Sequence, residues 1–225
     1  MGELIKDNER GVLFDFNGTL LFDILLHSEV WKRISDEIRG YPFTSEEFEQ
    51  KINAMQNNDI IKYLNPKVTV EEENLYIKKK EDLYKKLLTE KSIELAEGAI
   101  EFFEYLKKHN IKYTIATSSG IENVSFFIER YNLGKWFDVD KIVYNNNTFK
   151  GKPSPDIYLI AAEKIGVDIK NCIIFEDSKN GILSGVAAGA YKVIGITSSK
   201  TKENMLKMKG CSYAIENLKI LIIHF

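Results

Sequence analysis

Four short polar segments of this sequence carry the side chains best suited to chemistry. They are residues 15–19, 117–120, 151–155 and 176–178. Asp15 supplies a carboxylate that can act as a nucleophile, and Lys152 supplies a cation. Glu176 and Asp177 are adjacent acids, which repel each other unless a cation neutralises them. Because Thr117 precedes a helical pattern, where phosphate binds favourably, the four segments predict a site for an anion and a metal ion.

Each of these residues also has an ordinary structural explanation. Asp15 alone could end a strand at a turn, and Thr117 alone could cap a helix. Lys152 alone could be a solvated surface charge. The adjacent acids Glu176 and Asp177 are harder to explain in that way. The order of all four segments along the chain favours a single functional site.

The pattern of the chain predicts the elements that would bring these segments together. Strands are predicted at 11–16, 112–117, 141–144, 171–175 and 191–196, and helices at 99–109, 121–131, 155–165 and 179–188. Strands that alternate with helices of this length are typical of a parallel sheet covered by helices on both faces. We therefore predict a doubly wound α/β fold, which binds ligands at the carboxyl ends of its strands.

Between the first strand and the rest of the sheet lies a helical stretch from 23 to 91. Its apolar residues recur at helical spacing among many lysines and glutamates. The helix 71–91 is predicted to have a solvated face with charged pairs at i,i+4 spacing. We interpret the stretch as an insertion. The predicted domains are an α/β core of residues 1–21 and 93–225 and a helical cap of residues 22–92.

Composition excludes several classes of protein. The 225 residues are 44% hydrophobic and 28% charged, with a net charge of -2, so no basic surplus is available for nucleic acid. Two cysteines and three scattered histidines predict neither a disulfide framework nor a zinc site. The charged N-terminus and the lack of an apolar run of about 20 residues predict a cytoplasmic protein without a membrane span. We expect a monomer or a weak dimer.

The four segments together resemble the motifs of the haloacid dehalogenase superfamily, in the subgroup of β-phosphoglucomutase and its phosphatase relatives. Asp15-Phe16-Asn17-Gly18-Thr19-Leu20 resembles the first motif, and Thr117 stands at the second. Lys152 in GKPSPDIY resembles the third, and Glu176-Asp177-Ser178 in IIFEDSKNGI the fourth. The resemblance spans essentially the whole chain. It implies a Rossmann-like core with an inserted α-helical cap after the first motif.

The resemblance also implies a phosphohydrolase or phosphotransferase acting on a small phosphorylated metabolite. Asp15 would form an aspartyl-phosphate, and Lys152 would neutralise the nucleophile and the phosphate. Thr117 and the Ser118 amide would hold the phosphoryl oxygens. The ligands implied for Mg²⁺ are the Asp15 side chain, the Asn17 carbonyl, Asp177, and Glu176 either directly or one layer further out.

The sequence departs from the family at Asn17. Family phosphatases carry an aspartate there, which protonates the leaving group and then activates water. An amide cannot deliver a proton, and losing such acid–base help removes about 10²–10⁴ of rate. Three readings stay open: a slow or leaving-group-selective phosphatase, a degenerate protein that binds phosphorylated ligands, or a phosphonate hydrolase. The last would need a Schiff-base lysine in the cap, where Lys51 and Lys62 lie closest to the required place.

The predicted cap has one match and one mismatch to β-phosphoglucomutase. His27 lies twelve residues after Asp15, where that enzyme has a cap histidine that handles substrate, and Trp31 follows at the matching place. The mutase also uses a cap arginine for the second phosphate of its substrate. No arginine occurs between Arg39 and Arg130, so a mutase is disfavoured.

Overall fold

The computed structural model describes residues 10–52, 56–146 and 148–219, without the side chains of residues 49 and 50. The charged N-terminal segment and the apolar tail 220–225, both used in predicting a chain without a leader or membrane span, lie outside the described residues. Within the described ranges, no helix combines the length and the apolar character needed to cross a membrane.

The six described strands form one parallel sheet in the order β3-β2-β1-β4-β5-β6. The strands are β1 (Gly11–Phe14), β2 (Lys112–Gly120), β3 (Val143–Asn145), β4 (Cys172–Glu176), β5 (Lys192–Ile196) and β6 (Tyr213–Ile215). The first strand lies between β2 and β4, which are distant from it in sequence. The carboxyl ends of these three strands therefore meet at the middle of one edge of the sheet.

The described helices all lie between these strands in sequence. They are α1 (Ile24–Arg39), α2 (Ser45–Glu47), α3 (Asn57–Leu64), α4 (Val70–Glu90), α5 (Ala99–Lys108), α6 (Ile121–Arg130), α7 (Asp156–Ile165), α8 (Lys179–Ala188) and α9 (Lys202–Leu206). A π-helical turn spans Phe48–Ile52, and 3-10 turns span Leu133–Lys135, Val139–Lys141 and Ile169–Asn171. The predicted α/β class with a parallel sheet and a helical insertion is confirmed.

The predicted elements differ from the structure at several ends. The second strand continues to Gly120, beyond its predicted end at 117, so Ser118 also lies inside β2. The third strand begins at Val143 and not at 141, because Asp138 caps the 3-10 turn that precedes it. The elements α9 and β6 were not predicted, since each is too short to show a clear period.

Both faces of the sheet are covered by apolar side chains, as neighbouring residues of β1 illustrate. Leu13 packs in a buried cluster with Ile157 and Ala161 of α7. Phe14 points to the opposite face, where its ring contacts Phe102 and Phe103 of α5 edge-on, at centroid distances of 5.9 and 5.7 Å. Successive side chains of a strand alternate between faces, so this central strand is buried on both sides.

The chain forms two compact units, one of residues up to 22 and from 94, and one of residues 23–93. The second unit contains α1–α4 and is inserted between β1 and β2. The two segments at which the chain leaves the first unit and returns to it run side by side within that unit. Leu21 and Leu95 form an antiparallel bridge, and the Ala96 N–H donates to the Leu20 carbonyl at 2.8 Å.

Helix α4 buries two charged residues besides its apolar ones. Thr69 and Glu72 form a capping box at its start. Further along, Glu73, Lys80 and Tyr84 are buried, while the i,i+4 pairs Lys78–Asp82 and Lys86–Glu90 lie on an exposed face. Ion pairs accompany the buried charges, with the Lys80 ammonium 2.8 Å from a carboxylate oxygen of Glu81. A charged sequence can therefore pack inward where its charges are paired.

Candidate active site

Asp15 is the first residue after β1 and is held at the carboxyl edge of the sheet. Its backbone N–H donates to the carbonyl of Phe175 at 3.0 Å, which continues the pairing of β1 with β4. The side chain is almost fully buried, with 7% of the residue exposed. Burying a carboxylate costs free energy unless a cation or hydrogen-bond donors compensate its charge. The ammonium of Lys152 supplies the partner, at 2.5 Å from Oδ1 of Asp15.

The Lys152 ammonium has three hydrogen-bond acceptors. Besides Asp15, it donates to Oε1 of Glu176 at 2.6 Å and to the carbonyl of Ala116 at 3.3 Å. These acceptors belong to three neighbouring strands: Asp15 follows β1, Glu176 ends β4, and Ala116 lies within β2. An ammonium carries three N–H donors, so this arrangement satisfies all of them. Lys152 thus holds the predicted first, third and fourth segments together.

Glu176 is fixed through both of its carboxylate oxygens. Oε1 accepts from Lys152 and from the hydroxyl of Tyr158, the latter at 2.7 Å. Oε2 accepts from the backbone N–H of Asp177 at 3.0 Å and from Ser178, through its N–H at 3.1 Å and its hydroxyl at 3.0 Å. Because Ser178 also caps α8 by accepting from the Gly181 N–H, the helix start and the carboxylate position each other.

The electrostatics of the cluster follow from two buried acids that share one cation. The pKa of Asp15 is raised to about 7, chiefly by burial and also by the Glu176 carboxylate, against the lowering effect of Lys152. Burial also acts to raise the pKa of Glu176, but Lys152 and the hydroxyl of Tyr158 hold it below 4.5. Burial alone would lower the pKa of Lys152, whereas Asp15 and Glu176 raise it above 10.5. The two carboxylates outnumber the one ammonium, so an additional cation would be electrostatically favourable in this cluster.

The acids of this cluster fit a metal ion. Asp15, Glu176 and Asp177 each offer an oxygen, and these oxygens lie within 4.8 Å of one another. An all-oxygen set with an excess of negative charge suits a hard divalent cation. The loop after β1 also comes close to this place: a Cβ atom at Gly18 would lie 2.3 Å from Oδ2 of Asp177. Glycine at 18, with φ of +80°, allows that approach.

The predicted phosphate-binding segment lies at the end of β2. Thr117 is buried, and its Oγ1 accepts from the N–H of Ser119 at 3.1 Å, whereas Ser118 is exposed. The hydroxyl of Ser119 donates to Oδ1 of Asn17 at 2.8 Å. This bond joins the loop after β1 to the end of the neighbouring strand. Asn17 and the segment 117–120 are therefore brought together, as the sequence predicts.

His27 lies in α1, in the other unit, and its side chain contacts residues of that unit. Its Nε2 is 3.2 Å from Oδ2 of Asp23, and its ring stacks on Tyr84 at a centroid distance of 4.5 Å. The lysines considered for Schiff-base chemistry belong to the same unit. Lys62 pairs with Glu73 at 3.4 Å, and Lys51 is 3.4 Å from the hydroxyl of Tyr63.

Two residues of the site were not predicted as functional. Tyr158 stands inside the quoted motif GKPSPDIY, but of that motif only Lys152 was given a role. Ser119 stands inside the quoted segment 117–120, but only Thr117 and Ser118 were given a role. No local pattern in the sequence marks either hydroxyl, because both partners, Glu176 and Asn17, are distant in sequence.

The fold and this cluster define a class: an α/β protein whose buried carboxylate, lysine and paired acids meet at the carboxyl edge of a parallel sheet. The sequence profile of the haloacid dehalogenase-like hydrolases matches residues 12–196. The chain belongs to this family, so the predicted resemblance is confirmed, as is the prediction of an enzyme of the hydrolase and phosphatase type.

Individual relatives match along most of the chain. The phosphorylated carbohydrates phosphatase of Thermotoga maritima is 27% identical over 212 residues, which are 94% of this chain and 96% of that protein. The β-phosphoglucomutase of Mycobacterium tuberculosis is 23% identical over 246 aligned residues, which cover 97% of this chain and 93% of that protein. The crystal structure of a family IA, variant 3 hydrolase of Entamoeba histolytica has a TM-score of 0.89 and 48% identity, with 94% of each chain covered.

Proposed function

We propose that this protein is a Mg²⁺-dependent phosphohydrolase that acts on a small phosphorylated metabolite through an aspartyl-phosphate at Asp15. One observation carries the proposal: the Asp15 carboxylate is buried against Lys152, with Glu176 and Asp177 beside it. A nucleophile, a cation and a metal-binding acid pair are the parts that phosphoryl transfer to a carboxylate requires.

Each residue then has a role that its contacts support. Asp15 attacks phosphorus, and Lys152 acts to lower the pKa of the attacking carboxylate and balances the charge of the phosphoryl group. The Thr117 hydroxyl and the Ser118 amide bind the phosphoryl oxygens. Asp15, the Asn17 carbonyl, Asp177 and Glu176 would hold Mg²⁺, which supplies charge neutralisation at the phosphoryl oxygens.

The substrate class is taken from the relatives. A phosphatase named for phosphorylated carbohydrates aligns over 94% of this chain, which favours a small phosphorylated metabolite of that kind. We include in the proposal the domain limits, with a core of 1–21 and 93–225 and a cap of 22–92, and a substrate contact by His27 from the cap. No arginine occurs between Arg39 and Arg130, the stretch in which the mutase arginine for the second phosphate is expected, so a mutase is not proposed.

The rate is proposed to be limited by Asn17, since an amide cannot transfer a proton to the leaving group. The same observation favours a second candidate function. A protein with an intact phosphate site and no proton donor could bind phosphorylated ligands without turnover. Turnover and a covalent phosphoaspartate separate an enzyme from a binding protein, whereas metal binding alone does not.

The test measures phosphate release with Mg²⁺ from glucose 6-phosphate, 4-nitrophenyl phosphate and acetyl phosphate. Wild type is compared with Asp15→Asn and with Asp140→Asn, a matched change at an exposed aspartate of the same unit. We expect turnover in wild type and Asp140→Asn and none in Asp15→Asn, with phosphate found on Asp15 by mass spectrometry after acid quench. Equal turnover in Asp15→Asn would contradict the proposal, and ligand binding without any turnover would establish the second candidate.

A further inference from the structure

The backbone of Asp177 is held by a charged side chain at each of its polar groups. Its N–H donates to Oε2 of Glu176 at 3.0 Å, and its carbonyl accepts from the ammonium of Lys200 at 3.1 Å. This carbonyl precedes α8, because the first carbonyl that the helix uses is that of Ser178, which accepts from the Ile182 N–H. Lys200 therefore binds Asp177 at a point just before the helix begins.

The carboxylate of Asp177 lies against the loop after β1. A Cβ atom at Gly18 would lie 2.3 Å from Oδ2 and 2.8 Å from Oδ1 of Asp177. An oxygen of the same carboxylate lies within 4.8 Å of oxygens of Asp15 and Glu176. A rotation of the Asp177 backbone would change the direction in which this carboxylate faces the other two acids. The contact with Lys200 resists such a rotation.

Lys200 stands in a short loop that is fixed at both ends. At its start, the Thr197 N–H donates to the carbonyl of Ile215 at 2.9 Å. At its end, Thr201 caps α9 by accepting from the Asn204 N–H at 3.2 Å. The loop follows β5, which pairs in parallel with β4. Because neighbouring parallel strands end at the same edge of the sheet, this loop brings the ammonium to the residue that follows β4.

Lys200 differs from Lys152 in what it binds. The ammonium of the nearly buried Lys152 pairs with the carboxylates of Asp15 and Glu176. Lys200 is partly exposed, and its contact with Asp177 is to the main-chain carbonyl. Solvent ions screen a charge that is open to water, whereas a hydrogen bond to the backbone acts on orientation. The contact therefore fits a role in orienting Asp177.

We infer that Lys200 is a positioning residue: by holding the Asp177 carbonyl, it fixes the direction in which the Asp177 carboxylate is offered to Mg²⁺. The inference rests on the proposed function, in which Asp177 is a ligand of this ion. Mg²⁺ demands near-ideal octahedral geometry, whereas the larger Ca²⁺ accepts a flexible arrangement of oxygens. Loss of the Lys200 contact should therefore weaken the binding of Mg²⁺ more than that of Ca²⁺.

The first experiment measures metal binding without turnover. Mn²⁺ is the reporter: electron paramagnetic resonance follows its free form while Mg²⁺ or Ca²⁺ displaces it from the protein. We expect Kd for Mg²⁺ to rise about tenfold in Lys200→Met and Kd for Ca²⁺ to rise less than about threefold. Lys200→Arg keeps a cationic donor and should restore most of the Mg²⁺ affinity. Lys202→Met, at an exposed position of α9, is the matched control and should bind both ions as the wild type does.

The second experiment separates orientation of a metal ligand from contact with substrate. Phosphate release from 4-nitrophenyl phosphate is measured over a range of Mg²⁺ concentrations. The Mg²⁺ concentration for half-maximal rate should rise about tenfold in Lys200→Met. At saturating Mg²⁺, KM for the substrate should stay within about twofold of wild type, because the metal site is then filled. A higher KM with unchanged Mg²⁺ dependence would show that Lys200 contacts the substrate, which overturns the positioning role.

The outcomes separate this inference from the proposed function. A charge effect of Lys200 would change the affinities for Mg²⁺ and Ca²⁺ by the same factor, and that result would overturn the inference while leaving a working phosphatase. If Lys200→Met does not fold, Lys200→Ala carries the same comparison, and failure of both to fold would show a general structural role and also overturn it. If the wild type binds neither ion and forms no phosphoaspartate, the proposed function itself fails and the inference fails with it.

Discussion

Gly181 and Glu176 are so close that no side chain could stand at position 181. A Cβ atom there would lie 1.8 Å from Oε1 of Glu176. Helix α8 therefore begins directly against the carboxylate that pairs with Lys152. The donors from Tyr158, Asp177 and Ser178 prevent this carboxylate from moving aside at low cost.

Replacement of Gly181 should damage the site without a change of charge. In Gly181→Ala the new methyl group displaces the Glu176 carboxylate, so we expect the Mg²⁺ concentration for half-maximal phosphate release to rise at least about tenfold. Displacement of a buried, hydrogen-bonded acid should also lower the free energy of unfolding by about 2 kcal/mol. Mg²⁺ titrations of activity and urea unfolding measure the two effects.

Gly134→Ala is the matched control for this substitution. The nearest atom to a Cβ at position 134 is Cγ1 of Val139, at 3.7 Å, which is ordinary van der Waals contact. We expect activity, metal dependence and stability of Gly134→Ala to stay close to wild type. An unchanged Mg²⁺ dependence in Gly181→Ala would show that Glu176 does not contribute to metal binding.

The Tyr158 hydroxyl should contribute to holding Glu176. Tyr158→Phe removes a buried donor 2.7 Å from Oε1, and the lost hydrogen bond to a charged acceptor should cost about 1–3 kcal/mol of stability. The Mg²⁺ requirement should rise several-fold, because the carboxylate is less well oriented. Urea unfolding and Mg²⁺ titration check both. Tyr191→Phe, at an exposed position of the same unit, should change neither the stability nor the Mg²⁺ requirement. If both quantities are also unchanged in Tyr158→Phe, the Tyr158 hydroxyl does not help to hold Glu176.

The inserted unit should lose stability in acid through Glu47. Two hydrogen bonds of 2.8 Å from Arg39, together with the Tyr63 hydroxyl, lower the pKa of Glu47 to about 2. A carboxyl group with a lowered pKa stabilises the fold above its ordinary value of 4.5, and this contribution disappears as the pH falls toward 2. Glu47→Gln should therefore be less stable than wild type by about 1 kcal/mol at pH 7.

Urea unfolding between pH 7 and pH 3 measures this effect, with a probe of the helical unit such as Trp31 fluorescence. The gap between wild type and Glu47→Gln should narrow steadily below pH 4.5. Asp82→Asn is the control. The Asp82 side chain pairs with Lys78 but is 61% exposed, so this ion pair should contribute little to stability at any pH. A gap that is constant with pH would show that the ion pair is not the cause.

The hydroxyl of Tyr84 should stabilise a buried carboxylate in the same unit. It donates to Oδ2 of Asp23 at 2.5 Å, and both residues are at most 1% exposed. Tyr84→Phe leaves the carboxylate with one buried partner fewer, so the free energy of unfolding should fall by about 1–3 kcal/mol. Tyr41→Phe, at an exposed position, is the control for urea unfolding. Equal stability of the two variants would show that the Asp23 contact is not stabilising.

Local patterns were sufficient to predict the architecture. Strands such as β1 and β4 are short, apolar and bounded by turn residues, and helices such as α5 show clear periodicity. Their alternation implies a parallel sheet, and in such a sheet polar residues that follow strands must share one edge. For that reason Asp15, Lys152, Glu176 and Asp177 could be assigned to one site before their distances were known. Short elements such as β6 carry too few residues for such a pattern.

The sequence predicts the fold class, the order of the motifs and the residues with reactive side chains, because these depend on local periodicity and on residue type. The tertiary structure was needed to define which of these groups touch. It brought Tyr158 to Glu176 and Ser119 to Asn17, and it buried Lys80 and Glu73 on a helix whose other charged residues are mostly exposed. Hydrogen bonds between residues far apart in sequence leave no local pattern, so their partners are defined only once the sheet and helices have packed.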